Sequence, residues 1–123
     1  MTPNEYQTLA LRTEQTPAFA HHNHELSQLL HAAIGACTEV GELQDAIKKH
    51  LMYGKTLDRV NIIEEVGDVL WYLALALTSV DATMEDAMER NIAKLRKRYA
   101  DKFTEEQALV RDLDAEREVL ARK

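Results

Sequence analysis

The chain has 123 residues, of which 46% are hydrophobic and 29% charged, with a formal net charge of −6. That length fits one domain, residues 1–123, large enough to bury a core and small enough that association of copies would help it. The acidic balance excludes a nucleic-acid backbone as the main partner, because no basic excess exists to displace counterions, yet it permits a small anionic ligand held through metal.

At the N-terminus, Thr2-Pro3-Asn4-Glu5 has a capping threonine, a proline at the first helical position and a glutamate at the third, so a short helix is expected, ending near Gln15 before Pro17. The same stretch lacks the basic-then-apolar pattern of a signal peptide. HHNH at 21–24 begins the next helix. Spacings of one and two put these histidines on different sides of a helix, which suits a solvated cap better than a metal site. From about Glu25 to Leu51 the positions Leu26, Leu29, Ala33, Ala36, Val40, Leu43 and Ile47 recur at helical spacing. Cys37, the single cysteine, allows no intramolecular disulfide and points to a reducing compartment.

YGKTLD at 53–58 breaks the pattern, and a second long helix is expected from about Asp58 to Ser79 through Ile62, Val66, Val69, Leu73 and Leu77. Its apolar run VLWYLALAL at 69–77 is far short of the ~20 residues that span a bilayer. A cytoplasmic protein without a membrane partner is therefore expected. Asp81–Thr83 forms a turn, and Thr83 with Asp86 starts a helix carrying Met84, Met88, Ile92, Leu95 and Tyr99. Thr104 with Gln107 opens one terminal helix, about 105–121, with Leu109, Val110, Leu113 and Leu120 on a stripe that packs on a partner or projects into solvent. The expected fold is all-α and four-helix-bundle-like, with a core over about 25–103 and an additional C-terminal helix.

Two near-copies interrupt the long helices: TEVGEL at 38–43 and EEVGDV at 64–69. If these helices form an antiparallel hairpin, the acids mirror about the Tyr53–Gly54 junction, which puts Glu42 level with Glu65 and Glu39 level with Asp68. Within each helix an i, i+3 pair lies ~4.5 Å apart along the axis and ~60° apart around it, so four carboxylates surround one small volume. Gly35 and Ala46 flank the acids on one helix, and Asn61 and Tyr72 share their face on the other. Gly41 stands level with Val66 and Gly67 with Val40, an arrangement that would let the backbones approach closely. Clustered carboxylates suit a hard divalent cation, Mg²⁺ or Mn²⁺. A di-iron site would call for Glu-x-x-His on two helices, and neither pair has it. Mg²⁺ sites of this kind commonly hold phosphates, and NIAKLRKRY at 91–99 offers Asn91, Lys94 and Arg98 along one edge of the following helix.

Glu39-x-x-Glu42, then Glu65-x-x-Asp68 with its LWYL continuation, then Asn91-x-x-Lys94-Leu95 and Arg98-Tyr99, together resemble the MazG-type all-α nucleoside triphosphate pyrophosphohydrolases from about Leu29 to Phe103. Ala100 departs from the usual proline after the tyrosine, and Thr38 from a common glycine before the first acid. The resemblance implies Mg²⁺-dependent attack of water at the α-phosphorus of an NTP or dNTP, releasing monophosphate and pyrophosphate. It makes Glu39, Glu42, Glu65 and Asp68 the metal ligands and catalytic residues, with one glutamate orienting or deprotonating the water. Asn91, Lys94 and Arg98 would contact phosphate, and Tyr72 would contact the base; helical phase, two turns back near the Glu42 face, adds His31 as a second base-binding candidate. Trp71 is assigned to the core or a subunit interface, and Lys48 and Lys49 to solvent. An open apolar side on the long helices implies a homodimer or homotetramer. Two alternatives remain open: a relative acting on a phosphoribosyl-nucleotide, and a non-catalytic helical interaction module.

Overall fold

The computed structural model describes residues 1–18 and 23–121. These form α-helices and one 3-10 turn, with no strand among the described residues. Helix α1 is Pro3–Ala10, followed by a 3-10 turn Leu11–Thr13; α2 is His24–Tyr53, α3 Arg59–Ser79, α4 Met84–Arg98, α5 Glu105–Leu109 and α6 Leu113–Ala121. The start of α1 is the expected capping box. The Thr2 hydroxyl accepts the Glu5 N–H at 3.2 Å, and the Glu5 carboxylate accepts the Thr2 N–H at 2.7 Å. Of the HHNH segment, His21 and His22 lie outside the described residues. Asn23 caps α2 by accepting the Leu26 N–H at 3.1 Å.

Helix α2 stops where the mirror point was placed. Gly54 sits in the left-handed region at φ 63°, its N–H returns to the Lys49 carbonyl, and Lys55 N–H reaches the same carbonyl at 3.2 Å. That conformation is costly for residues with a Cβ, which is why glycine ends the helix here. Asp58 then caps α3 by accepting the Asn61 N–H at 3.0 Å.

The chain divides into two compact units, Met1–Thr83 and Met84–Lys123. In the first, α2 and α3 pack along each other over a layer that includes the buried Ala32, Ala46, Ala74 and Leu75. Helix α1 lies on α3 and is tied there by side chains. Trp71 Nε1 donates to the Ala10 carbonyl at 2.8 Å, and Gln7 Nε2 donates to Thr78 Oγ1 at 2.7 Å and to the Ala82 carbonyl at 3.0 Å. In the second unit α6 packs on α4. Arg90 Nη1 donates to the Leu120 carbonyl at 2.8 Å, and Arg98 pairs with Glu116.

Two local expectations need correction. The terminal helix is not continuous: Val110 is extended at φ −103°, ψ 94°, and Asp112 accepts the Ala115 N–H at 3.0 Å to start α6 afresh. Aspartate competes with the helix for its own backbone N–H groups, so it favours a cap over a helix interior. Nor do Gly41 and Gly67 mark a close approach, since a Cβ at either would meet nothing within 4 Å. Gly35 does. A Cβ there would fall into the Tyr72 ring.

Candidate functional site

The hairpin brings Glu39, Glu42 and Glu65 together: one carboxylate oxygen from each lies within 4.8 Å of the others. Glu65 is only 5% exposed, and Asn61, one turn earlier on α3, donates Nδ2 to its Oε1 at 2.6 Å. Glu39 is half-buried and Glu42 exposed. Asp68, also exposed, lies outside the set of three, but its charge reaches Glu39. The Glu39 carboxyl is pushed above the usual carboxylate range, first by burial, then by repulsion from Glu42, Asp68 and Glu65 and by a hydrogen bond with Glu65. Among the described residues no lysine or arginine forms an ion pair with any of these acids. Lys48 and Lys49 are spent on Asp45 instead, at 3.6 and 2.6 Å. Oxygen donors from two helices, with like charges and no cationic side chain between them, fit a hard divalent cation.

Tyr72 stands one turn beyond Asp68, its ring lying over Gly35. Two further rings meet it edge-on. His31 lies 5.6 Å from Tyr72 and 6.1 Å from Trp71, and Trp71 lies 5.0 Å from Tyr72, centroid to centroid. Trp71 is half-buried and fixed by its indole N–H to the end of α1. No sequence pattern marks Tyr6, whose hydroxyl donates to the Gly67 carbonyl at 3.2 Å. Burial first, and then the charge of Asp68, hold that phenol above its ordinary pKa. The two partners are 61 residues apart in sequence, too distant for any periodic signal to link them.

In the second unit Asn91 is exposed and Lys94 half-buried, and Lys94 makes no ion pair among the described residues. Arg98 is already engaged. Its Nε and Nη2 donate to the two oxygens of Glu116 at 2.8 and 2.5 Å, and its guanidinium lies 5.7 Å from the Tyr99 ring centroid. Glu116 was not singled out by the sequence; its position in a heavily charged helix hid a carboxylate that is only 4% exposed.

Comparison with known proteins adds a family to this geometry. The family described as MazG nucleotide pyrophosphohydrolase domain matches residues 28–103, more than half of the chain and the whole stretch bearing the acids. The chain is also similar to "Gene 37 protein" of Mycobacterium phage L5, 30% identical over 74 residues. That match covers 57% of this chain and 65% of the phage protein, a little under two thirds of the latter's length. No solved structure matches. With the paired acids falling inside the matched stretch, the chain belongs to the MazG nucleotide pyrophosphohydrolase domain family.

Proposed function

We propose that this protein is a Mg²⁺-dependent pyrophosphohydrolase that converts an NTP or dNTP to the monophosphate and pyrophosphate. The observation that carries the proposal is the cluster of Glu39, Glu42 and Glu65 within 4.8 Å, with no cationic side chain paired to it. Glu39, Glu42, Glu65 and Asp68 are the residues that would hold Mg²⁺, or Mn²⁺ in its place, and the ion would supply charge neutralisation of the triphosphate and a lowered pKa for bound water.

The chain's own groups do the remaining work. Asn61 fixes the Glu65 carboxylate by its 2.6 Å hydrogen bond, so that ligand is oriented before any cation arrives. A glutamate of the cluster orients the attacking water and takes its proton. Tyr72 stacks on the base with His31 at its edge. Asn91, Lys94 and Arg98 take phosphate oxygens, Arg98 through the N–H groups that Glu116 leaves. Phosphoryl transfer needs positioning and charge more than covalent chemistry, and this set provides both. The working form is a single-domain cytoplasmic enzyme assembled from two or more copies. Pyrophosphate release from a panel of NTPs and dNTPs with Mg²⁺ tests the proposal. Release from at least one, abolished by chelation, is expected; none from any nucleotide identifies an interaction module, and release from a phosphoribosyl-nucleotide alone identifies the other alternative.

A further inference from the structure

Glu116 is clasped from two sides. Arg98 gives Nε and Nη2 to its two oxygens at 2.8 and 2.5 Å, and Arg111, from the segment between α5 and α6, does the same at 3.3 and 2.7 Å. The carboxylate is thereby saturated by donors, and its side chain is only 5% exposed. Two guanidinium groups on one carboxylate leave a net positive charge. The Arg98 side chain is 15% exposed and the Arg111 side chain 41%, so Arg111 is the more accessible of the two. Each arginine uses the Nε–Nη2 edge on Glu116, so neither Nη1 is committed to it. Both groups line a cavity of about 130 Å³ together with Lys97, Val110, Asp112 and Glu116. Of its two acids, Glu116 is neutralised and Asp112 is turned to the Ala115 N–H.

We propose that Arg111 and Arg98 form a phosphate-binding subsite for the polyphosphate or pyrophosphate group of the ligand, and that Glu116 is the positioning residue that holds their donor edges in place. Planar forks suit tetrahedral phosphate oxygens, and a fork pinned along one edge loses less freedom on binding than a free side chain does. Arg111 and Glu116 both lie beyond the residues that match the family, so this pair is a feature of the C-terminal segment. The inference rests on the assignment of α4 as the phosphate-holding helix.

The test is calorimetric titration of the full-length protein with inorganic pyrophosphate in Mg²⁺, which reads binding whether or not any nucleotide is hydrolysed. R111A is expected to weaken binding about tenfold, the loss of one charge-assisted fork. R111K, which keeps a charge for Glu116 but no fork, should weaken it less and leave the melting temperature near wild type. Because E116Q keeps shape but releases both arginines, its pyrophosphate affinity should fall while K94A and R98A fall independently. If K94A and R98A weaken binding while R111A and R111K both bind as wild type does, the subsite is overturned and the α4 assignment stands. Unchanged binding in K94A and R98A overturns the α4 assignment and the subsite with it.

Discussion

At Glu65 the backbone, the neighbour and the charge all point one way. It is the most buried of the four acids, it is held by Asn61, and it faces Glu39 and Glu42. Removing its charge without its shape should therefore act on chemistry before fold. Glu65→Gln and Asp68→Asn are each expected to cut metal-dependent hydrolysis by two orders of magnitude or more, roughly the loss of one essential ligand, with helical circular dichroism retained. Millimolar Mg²⁺ should raise the melting temperature of wild type, because a cation that binds only the folded chain stabilises it by mass action, and should raise that of the variants less. Near-normal turnover in both variants would reduce the acids to surface charge. A second residue-scale test separates base from phosphate. Tyr72 lies on Gly35 with no room for a Cβ, so Gly35→Ala must push the ring away, at an overpacking cost of ~1–3 kcal/mol. Gly35→Ala and Tyr72→Ala should both raise KM and blur preference among bases, since stacking contributes ~1–3 kcal/mol per base. Lys94→Ala should lower kcat/KM about equally for every nucleotide, because all triphosphates present the same oxygens. Kinetics on the common dNTPs decide it: a uniform loss for Tyr72→Ala with a changed ranking for Lys94→Ala would exchange the two roles.

Among the helices, those with strong periodicity and clear caps were legible: α1 from Thr2-Pro3-Asn4-Glu5, α2 to its stop at Gly54, and α3 from Asp58. The mirrored spacing of Glu39, Glu42 and Glu65 needed only that hairpin to predict their convergence. What escaped was long-range. Tyr6 on Gly67, Trp71 on Ala10 and Glu116 on Arg98 depend on how elements dock, and no pattern along one helix encodes a docking partner. The break at Val110–Asp112 escaped because a charged helix and a charged turn have similar composition; only the capping geometry of Asp112 separates them. Glu116 makes this element sensitive to acid in a defined direction. Hydrogen bonds from Arg98 first, then Arg111, hold its carboxyl far below the usual range. A depressed folded pKa contributes stability that is complete above the ordinary glutamate value of ~4.3 and is lost as pH falls towards the folded value. Protection factors for amide exchange of Val119 and Leu120 in α6, taken relative to the intrinsic rate at each pH, should stay constant above about pH 5 and fall only well below ~4.3. Glu116→Gln should lack that acid step and exchange faster at neutral pH. An acid step of the same size in Glu116→Gln would assign it to another carboxylate.

At the scale of the whole molecule, apolar surface remains uncovered on the helices that carry the acids. Among the described residues the largest side chain with full burial is Leu75, whereas Ile63 is 73% exposed, Val66 44%, Leu70 37% and Leu73 44%. Those residues follow the alternating three- and four-residue spacing of a coiled-coil seam along α3, and Val40 and Ile47 on α2 are 42% and 40% exposed at heptad spacing. A second copy of the chain is the proposed occupant, because a seam of this regularity matches another helix better than an irregular surface, and a stable pair needs roughly 1,200–2,000 Å² of total buried area. Light scattering on the purified chain should then give twice or four times the 14.0 kDa of the monomer. Ile63→Glu is the informative variant. At 73% exposure the side chain contributes little to the isolated fold, so a glutamate there costs almost nothing in a monomer but puts like charges into the seam of an oligomer. The expected result is dissociation on dilution with helical content preserved and a melting temperature that becomes dependent on protein concentration. A wild-type chain that scatters as a 14.0 kDa monomer at every concentration tested would leave the seam without a second copy to cover it.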